Sequence, residues 1–456
     1  MKEVIIMKLS KYLKKCDSIY HTTLDPQTSG VVRIHLVPPK KLKPGIPWVA
    51  VINGYSVLPL QSSWAVLLKE FMETLNETKG KILSNDEIKT LVEETVKKLK
   101  LIFTNTEASV LKKDLNDIVA TLKQIAKGQE PDLKIGYTTL AQYSKYMKAP
   151  HRMDLMISSM EKNGCWNCNQ KCLHCYASGE IKSNVEELGL EDWKKIIDGC
   201  KEAGIPSITF TGGEPTIRKD LVEMVSYAKW FVTRLNTNGI LLTKELCEQL
   251  YDASLDSVQV TLYSYNEETH NSLVGGNHFN NTIEGIKNAL AAGLDVSVNT
   301  PLCSINSDYI ETIKFCQSLG VKYFSCSGLI PSGNAKQVLS KITSLSKDEI
   351  YKIVKMAVNY AKEQELDVAF TSPGWIDKEK LKKLKLVVPS CGACLSNMAV
   401  APNGDVIPCQ SWLSGLTLGN MLETNFKKIW RGTDCVRIRK DSAKEECICP
   451  LKAGDN

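Results

Sequence analysis

Long apolar runs are missing from this sequence of 456 residues. Its first residues, MKEVIIMKLSKYLKKC, contain only a short apolar run, from Val4 to Met7, before lysines return. That run is too short for the core of a signal peptide. No later stretch approaches the roughly 20 apolar residues that are needed to span a bilayer. We therefore expect a cytoplasmic protein with no membrane partner.

An excess of charge of one sign is also missing. The 57 Lys and Arg residues and the 51 Asp and Glu residues leave a net charge of +6. The lysines are scattered among acids and form no basic stripe with interleaved aromatics, which argues against a nucleic-acid partner. An apolar fraction of 43% and a charged fraction of 24% are typical of a soluble globular chain, here long enough for two or three domains.

Cysteine, by contrast, is abundant. The chain has 16 cysteines, and because we expect the reducing cytosol, metal or redox chemistry is favoured over a disulfide framework. Four of them lie in residues 165–175 and six in residues 391–449. Among the solitary ones we expect small apolar core residues on helices at Cys200, Cys247 and Cys316, and core or wall residues at Cys303 and Cys326.

The first 149 residues are predicted to form an α+β module. Two stretches, GVVRIHLV and IPWVAVINGYSVLPL, are typical of strands. Three charged stretches after them are typical of helices: SSWAVLLKEFMETL, NDEIKTLVEETVKKLKLI and VLKKDLNDIVATLKQIAKG. Asn85 and Asp86 can cap the second helix. One apolar face is predicted in the third, formed by Val110, Leu111, Leu115, Val119, Leu122 and Ile125.

From residue 150 to 335 the pattern changes to an alternation of strand and helix. We predict strands near 152–157, 206–211, 231–236, 255–262, 294–300 and 321–327. We predict helices near 190–203, 219–229, 243–252, 282–292, 307–319 and 346–365. Six strand-helix units indicate an α/β fold with a parallel sheet, whose functional groups lie at the carboxyl ends of the strands. A connecting helix and strand are expected over 336–384.

The last segment, residues 385–456, is glycine-punctuated and rich in cysteine. Within it, SNMAVAPNGDVIPC is typical of two strands joined by an Asn-Gly turn. The chain as a whole has no internal repeat and no low-complexity tract. We therefore predict a C-terminal extension organised around a hairpin and its cysteines.

The stretch CNQKCLHCY places Cys168, Cys172 and Cys175 in one short loop after the first strand of the parallel sheet. A structural zinc ion needs four ligands, and the neighbours Cys165 and His174 can supply a fourth, so the count of ligands leaves zinc open. A loop above a parallel α/β sheet favours catalysis, however. Three thiolates on a four-iron cluster leave one iron open to a substrate or cofactor.

A second motif, TGGEP at 211–215, follows the second strand and lies at the same edge of the sheet. Two adjacent glycines, Gly212 and Gly213, let the backbone come close to a ligand. Glu214 offers a carboxylate for an ammonium group of that ligand.

With its motifs in this order, the sequence resembles the radical S-adenosylmethionine (SAM) enzymes, which share the CxxxCxxC signature and a GGE motif after the next strand. The resemblance implies a partial (β/α)6 TIM-like barrel in which Cys168, Cys172 and Cys175 hold a [4Fe-4S] cluster. It also implies that the open iron binds the amino and carboxylate groups of SAM. One electron then cleaves SAM to methionine and a 5′-deoxyadenosyl radical, which abstracts a hydrogen atom.

Further positions follow from the same resemblance. LNTNG (235–239) and QVTLYS (259–264) close the third and fourth strands, where the family contacts ribose and carboxylate. Many relatives carry an aspartate where this chain has TLY. PSGNA (331–335) lies where relatives have Pro-x-Gly-Arg-Ala, and we assign it only a turn. The candidate cofactor-binding residues are therefore Gly212, Gly213, Glu214, Asn238, Thr261 and Tyr263.

The C-terminal stretch CGACLSNMAVAPNGDVIPC, followed later by CICP, resembles the SPASM domain, an extension of radical SAM enzymes that carries auxiliary iron-sulfur clusters. The later CxxC-x5-CxxxC run is absent, which favours the truncated Twitch form with one auxiliary cluster, [4Fe-4S] or [2Fe-2S]. The candidate ligands are Cys409, Cys447 and Cys449, with Cys391 or Cys394 as the fourth. A zinc ribbon built from the same ligands is the alternative.

The substrate must be inferred from what surrounds this core, because the cofactor supplies the radical chemistry. SPASM and Twitch enzymes act mostly on peptides, and the C-terminal cysteines resemble those of the thioether-forming maturase of sporulation killing factor. The first 149 residues resemble a leader-peptide recognition domain, which binds by adding a strand to its sheet edge.

We therefore predict a precursor peptide as substrate, a thioether cross-link as one possible product, and an external electron donor such as ferredoxin or flavodoxin. Two alternatives stay open. One is a radical SAM enzyme that modifies a small molecule or cofactor precursor, and the other is a non-catalytic iron-sulfur or zinc scaffold.

Overall fold

The computed structural model describes residues 9–16, 18–24, 32–39, 41–52, 56–78, 81, 83–126, 144–338, 344–444 and 448–451. The chain divides into two compact units, residues 1–151 and residues 152–456. Within the described ranges, no helix is long and apolar enough to cross a membrane.

The first unit is built on a four-stranded antiparallel sheet in the order β1-β2-β3-β4. Its strands are β1 (Tyr20–Leu24), β2 (Val32–Val37), β3 (Trp48–Ile52) and β4 (Ser56–Leu60). The stretch IPWVAVINGYSVLPL, predicted as one strand-like run, contains both β3 and β4, with Ile52 opposite Ser56. Strand β1 was not predicted, because its sequence YHTTL is short and half polar.

Three helices follow the sheet, as predicted: α1 (Ser62–Asn76), α2 (Asn85–Ile102) and α3 (Ala108–Ala126). The cap of α2 is Ser84, so the assignment of Asn85 and Asp86 was wrong. The Ser84 hydroxyl accepts from the Glu87 N–H, and the Glu87 carboxylate accepts from the Ser84 N–H at 2.8 Å. This reciprocal capping box satisfies two backbone donors at once, which a cap one residue later would not.

The helices pack on the sheet through their apolar faces. In α3 the predicted face is confirmed at Leu111, Leu115 and Leu122, whereas Val110 is exposed and Ile118 is buried instead. The core of this unit joins sheet and helix residues that are completely buried, among them Ile34, Leu36, Ile52, Leu60, Leu68, Met72, Leu99 and Leu122.

The second unit is built on a ten-stranded sheet in the order β13-β12-β11-β10-β9-β8-β5-β14-β15-β16. Six parallel strands confirm the prediction: β5 (Arg152–Ser158), β8 (Ser207–Gly212), β9 (Val232–Thr237), β10 (Ser257–Thr261), β11 (Asp295–Pro301) and β12 (Tyr323–Ser327). A separate hairpin is formed by β6 (Glu161–Lys162) and β7 (Cys165–Trp166).

Helices alternate with these strands. They are α4 (Leu190–Ala203), α5 (Leu221–Tyr227), α6 (Lys244–Asp252), α7 (Glu267–Val274), α8 (Phe279–Ala291), α9 (Tyr309–Ser318), α10 (Gly333–Val338), α11 (Lys347–Glu363) and α12 (Lys378–Lys383). In α4 the apolar residues at helical spacing are buried, as Trp193 and Ile196 illustrate. The solitary Cys200, Cys247 and Cys316 are completely buried, as expected.

Strands from outside the predicted six complete the sheet. β13 (Asp367–Phe370), from the connecting segment, pairs in parallel with β12. β14 (Asn397–Val400) pairs in parallel with β5 and antiparallel with β15 (Asp405–Ile407), which confirms the predicted hairpin. β16 (Gly419–Asn420), α13 (Phe426–Arg431) and α14 (Thr433–Ser442) follow. The C-terminal hairpin therefore continues the main sheet.

Two glycines inside helices test how tightly these layers pack. A Cβ on Gly285 in α8 would stand 2.1 Å from the carbonyl oxygen of Gly239. Alanine in place of a mid-helix glycine ordinarily stabilises by up to about 1 kcal/mol. Here the methyl group meets backbone, so we expect Gly285→Ala to lower the free energy of unfolding by about 1–3 kcal/mol, measured by urea unfolding.

Gly199→Ala in α4 is the matched control. Its Cβ would meet only the flexible end of Met421, at 3.0 Å, so we expect no loss of stability. Equal free energies of unfolding for the two variants would contradict the proposed close approach of α8 to Gly239.

Candidate functional site

The segment that carries the first cysteine motif, residues 167–180, contains neither helix nor strand and is called the cysteine loop below. Its backbone is fastened to the end of α7. The N–H groups of Lys171 and Leu173 donate to the carbonyl oxygens of Val274 and Leu273 at 3.1 and 2.8 Å. The loop is therefore held by hydrogen bonds to another element and not by regular structure of its own.

The three motif cysteines, Cys168, Cys172 and Cys175, are half-buried in this loop. Burial raises the pKa of Cys168 to about 12 and also raises the pKa of Cys172 and Cys175. Negative charge on its two neighbours raises the pKa of Cys172 further. Metal binding requires thiolates, so these sulfurs need a cation in order to ionise here. An iron-sulfur cluster that takes three thiolates fits this donor set.

The two residues that could complete a zinc site are placed differently. Cys165 is exposed on β7. His174 is buried, and its ring centroid lies 6.4 Å from that of Tyr263. Among the residues that the structure describes, no three His, Cys, Asp or Glu side chains are placed to hold a single metal ion.

Gly212 ends β8, Gly213 follows it directly, and both lie against the end of β5. A Cβ on Gly212 would stand 2.3 Å from the carbonyl oxygen of Ser158, and one on Gly213 would stand 2.8 Å from that of Ser159. The sulfur of Cys168 lies 3.5 Å from the carbonyl oxygen of Gly213. Both positions therefore require glycine, and the turn they form lies directly against the cysteine loop.

The carboxylate of Glu214 is buried, with 1% of the residue exposed. Its Oε1 accepts from the N–H and hydroxyl of Thr216 at 3.0 and 2.5 Å and from the hydroxyl of Thr237 at 2.6 Å. Its Oε2 accepts from the N–H of Asn238 at 2.8 Å. Burial raises the pKa of Glu214, and these hydrogen bonds oppose that rise. Oε1 accepts three hydrogen bonds whereas Oε2 accepts one from the described residues, so Oε2 retains capacity for a donor from a ligand.

The other three predicted cofactor-binding residues lie at the same carboxyl edge of the sheet. The side-chain amide of Asn238 donates to Oδ1 of Asn169, in the cysteine loop, at 2.6 Å. Thr261 is half-buried and ends β10. Tyr263 is buried and packs in an apolar cluster with Cys172. Asn238 and Tyr263 thus contact the cysteine loop, while Thr261 lies at the strand end beside them.

In the C-terminal segment, Cys391, Cys409 and Cys449 form one electrostatically linked group. Burial raises the pKa of Cys409 to about 12, and negative charge on Cys391 and Cys449 raises it further. The hydroxyl of Ser442 lies 3.6 Å from the sulfur of Cys391. Cys447, the remaining predicted ligand of this group, lies outside the described residues.

Cys394 has different surroundings. Its thiol forms a hydrogen bond with Cys435, which raises the pKa of Cys394 and lowers that of Cys435. The sulfur of Cys435 also accepts from the guanidinium of Arg439 at 3.7 Å, and Arg439 stacks 3.7 Å above the ring of Trp430. We infer that Cys391 is the fourth auxiliary ligand that the sequence left undecided, and that Cys394 belongs to a buried thiol pair beside it.

Comparison with known proteins accounts for both cysteine groups. Residues 167–316 match the profile of the radical SAM superfamily, and residues 391–450 match that of the iron-sulfur cluster-binding SPASM domain. The chain contains a radical SAM domain followed by a SPASM domain. The radical SAM domain includes the cysteine loop and the GGE turn, and the SPASM domain includes the C-terminal cysteines.

Curated proteins similar to this chain include two heme synthases and a probable GTP cyclase. The AdoMet-dependent heme synthase of Oleidesulfovibrio alaskensis is 28% identical over 59% of this chain and 74% of that enzyme. The heme synthase of Methanosarcina barkeri is also 28% identical, over 62% of this chain and 86% of its own length. A probable GTP 3′,8-cyclase of Saccharolobus islandicus is 36% identical over 40% of this chain and 61% of the cyclase.

Solved structures share the fold over a greater length. SuiB of Streptococcus suis, solved with its precursor peptide SuiA, has a TM-score of 0.61 and 15% identity, with 96% of each chain covered. The structure of anSMEcpe with bound AdoMet has a TM-score of 0.51 and 18% identity, over 65% of this chain and 84% of that one. The SuiB match therefore extends across both units and confirms the predicted fold class.

The sequence analysis did not predict a role for two residues of the SPASM domain, Cys435 and Arg439. Their spacing of four on a helix places both side chains on one face, which is the one signal that could have indicated the pair. The partner Cys394 could not be recognised in this way, because it lies far away in the chain.

The buried carboxylate of the radical SAM domain can be tested by Glu214→Gln. The amide nitrogen of Gln cannot accept, so one of the donors around it loses its partner, and we expect a loss of about 1–3 kcal/mol in the free energy of unfolding. If Glu214 pairs with the SAM ammonium, as the sequence predicts, we also expect SAM binding to weaken at least about tenfold, because the substitution would remove that charged partner. Equilibrium dialysis with the cluster-loaded protein measures the affinity.

Glu223→Gln is the control, since Glu223 on α5 is exposed and forms an ion pair with Lys194 at 2.7 Å. A surface pair of this kind contributes little, so both quantities should stay near those of the wild type. Unchanged SAM affinity in Glu214→Gln would contradict the assignment of its carboxylate to the cofactor.

The choice between the two candidate ligands of the SPASM domain can be tested in a Cys172→Ala protein, whose remaining iron belongs to the auxiliary site. We expect Cys391→Ala to remove most of that iron after anaerobic reconstitution and Cys394→Ala to retain it, because the thiol of Cys394 is already hydrogen-bonded to Cys435. Iron and acid-labile sulfide are counted per chain. The reverse result would assign Cys394 to the cluster.

Proposed function

We propose that this protein is a radical SAM enzyme that modifies a ribosomally synthesised precursor peptide by abstracting hydrogen from it. The observation that carries the proposal is the extent of the shared fold. SuiB, whose structure contains its precursor peptide, matches over 96% of this chain, whereas the heme synthases and the cyclase match over 40–62% of it. The first unit is thus part of what this chain shares with a peptide-binding protein.

In the proposed site, Cys168, Cys172 and Cys175 would hold a [4Fe-4S] cluster, and the Glu214 carboxylate would accept a hydrogen bond from the SAM ammonium. A cluster held by these three cysteines, reduced by an external donor such as ferredoxin or flavodoxin, would supply the electron needed to cleave SAM to a hydrogen-abstracting radical. The glycine turn packs against Ser158 and Ser159, and the buried Tyr263 packs in an apolar cluster with Cys172, so both would limit the access of water to this edge of the sheet. Water exclusion protects a radical from side reactions.

The exposed face of the sheet supports a peptide over an anionic substrate. Most alternate residues of β10 to β12 are half-buried and uncharged, among them Gln259, Ser297, Asn299 and Ser325, and Asp295 at the start of β11 is half-buried and acidic. The only basic side chain on the described strands β9 to β12 is Arg234, whose guanidinium donates to Gln259 at 2.5 Å and to Ser297 at 3.2 Å. Amides and hydroxyls suit a peptide backbone, whereas a triphosphate requires several cations.

The sheet of the first unit would supply the binding edge for a leader segment. Its two edge strands are β1 and β4. At the β1 edge, the carbonyl oxygen of His21 already accepts from the side-chain amide of Asn76 at 2.8 Å. The edge at β4 is therefore the better candidate for an added peptide strand. One auxiliary cluster in the SPASM domain would either contact the peptide or receive the electron released when a thioether cross-link forms.

A second candidate function is the modification of a small molecule or cofactor precursor. It is favoured by the heme synthases, which are 28% identical to this chain over 74% and 86% of their lengths. In that case the first unit would have a role other than peptide recognition.

The proposal is tested with anaerobically purified, iron-reconstituted protein. With SAM and a strong reductant we expect 5′-deoxyadenosine from the wild type and none from Cys172→Ala. Co-expression with short, cysteine-containing peptides encoded beside this chain should yield one whose mass falls by about 2 Da per cross-link, as measured by mass spectrometry.

The two readouts test the radical reaction and the peptide substrate separately. Cluster-loaded wild type that forms no 5′-deoxyadenosine with any peptide would overturn the radical reaction. Deoxyadenosine formed with no altered peptide, but with turnover of a porphyrin or nucleotide, would favour the second candidate.

A further inference from the structure

The turn PSGNA, residues 331–335, lies against the cysteine loop. Sequence reasoning assigned it no role beyond a turn. Its central residues, Ser332 to Asn334, join the end of the strand-helix repeat to the candidate cluster site, since they contact backbone and side-chain groups of residues 172–180.

Asn334 makes two contacts with carbonyl oxygens of the motif cysteines. Its backbone N–H donates to the carbonyl oxygen of Cys175 at 2.9 Å. Its side-chain amide donates to the carbonyl oxygen of Cys172 at 3.3 Å. One residue thus contacts two of the three cysteines that would hold the cluster, and it does so without touching their sulfurs.

Two neighbours of Asn334 make a second connection. Oε1 of Glu180, at the end of the cysteine loop, accepts from the Ser332 hydroxyl at 2.7 Å and from the Gly333 N–H at 2.9 Å. Gly333 has a φ of +57°, and a Cβ there would stand 2.6 Å from the carbonyl oxygen of Cys175. The close approach therefore depends on glycine. Hydrogen bonds from the turn hold the cysteine loop at Cys172, before Cys175, and at Glu180, after it.

We propose that Asn334 is a positioning residue that fixes the spacing of Cys172 and Cys175. Its two hydrogen bonds to their carbonyl oxygens, together with those that Glu180 accepts from Ser332 and Gly333, are called the clamp below. The inference rests on the proposed function, since it assigns the clamp to the cluster-binding loop of that site. Cys172 and Cys175 lie in a segment without helix or strand, where the Cys175 N–H donates to the Cys172 carbonyl oxygen at 3.3 Å. Asn334 binds the carbonyl oxygens at both ends of that turn, so its contacts add to the internal hydrogen bond in setting the separation of the two residues and, through it, the positions of their sulfurs.

The test measures how firmly the cluster is held and not how fast the enzyme turns over. Anaerobic, reconstituted holoprotein is mixed with an iron chelator, and the decay of the cluster absorbance is followed. The contribution of the auxiliary site is measured in Cys172→Ala and subtracted. We expect Asn334→Ala to release the iron of the first site about fivefold faster than the wild type, the change that corresponds to one hydrogen bond.

Asn288→Ala is the matched control. Asn288 on α8 is also half-buried and also donates its side-chain amide to a carbonyl oxygen, that of Leu242 at 2.9 Å, in a contact that does not involve the cysteine loop. We expect its iron release to equal that of the wild type. Thermal unfolding of the two variants shows whether a general loss of stability explains the difference.

A double variant tests whether both contacts act together. If Asn334 and Glu180 form one clamp, Asn334→Ala with Glu180→Ala should release iron little faster than the faster single variant, because the second change acts on a loop that is already free. A shifted electron paramagnetic resonance signal of the SAM-bound cluster in Asn334→Ala, with an unchanged signal in Asn288→Ala, is the expected spectroscopic counterpart.

The outcomes are distinct. If the wild type and Cys172→Ala bind the same amount of iron, the proposed cluster site has failed. If the first site binds iron but Asn334→Ala releases it at the rate of the wild type, the clamp alone is overturned. Equally fast release from Asn334→Ala and Asn288→Ala, with equally lowered unfolding temperatures, would also overturn it.

Discussion

The cysteine loop depends on hydrogen bonds that other elements donate to or accept from its backbone. A loop with no regular structure that is partly buried must pair its N–H and carbonyl groups elsewhere, because unpaired buried groups cost about 1–3 kcal/mol each. The partners come from the end of α7, through Leu273 and Val274, and from the turn around Asn334. Elements that are far apart in the chain thus share control of one short segment, and the placement of its thiols is a property of the whole radical SAM domain.

The carboxylate of Glu214 has a similar role for the strand ends. Its own N–H donates to the hydroxyl of Ser158 at the end of β5, and its carboxylate receives donors from Thr237 and Asn238 at the end of β9. Through its backbone N–H and its carboxylate, one residue therefore connects the carboxyl ends of three neighbouring strands. Burial would otherwise favour the neutral acid, so the hydrogen bonds that hold the geometry also oppose the rise in pKa. A cationic ligand beside Oε2 would stabilise the charged form further.

Most of the radical SAM domain could be predicted from the sequence because its strands and helices follow one another with regular apolar spacing. The order of CNQKCLHCY and TGGEP then placed both motifs at one sheet edge. The pairing of β14 with β5 could not be predicted, because it joins segments from opposite ends of the unit and depends on tertiary packing. The choice between Cys391 and Cys394 was undecidable for a related reason. Both have acceptable spacing, and only the contact of Cys394 with Cys435 separates them.

The position of β14 also determines how the two cysteine groups are related. The cysteine loop follows β5, and β14 lies beside β5 in parallel, so the SPASM hairpin is placed by strand pairing and not by a linker. Side chains from both domains meet in one apolar cluster, in which Trp166 and Tyr176 of the radical SAM domain pack with Ala399, Ile407 and Leu413. The ion pair of Lys182 with Asp405 at 2.8 Å reinforces this contact.

A slip of one residue in that pairing would turn the core-facing residues of β14 to the opposite face and break the shared cluster. The register of two strands therefore fixes the separation of the proposed catalytic and auxiliary centres. This constraint does not depend on which peptide or small molecule the enzyme modifies, because it resides in the backbone of the sheet.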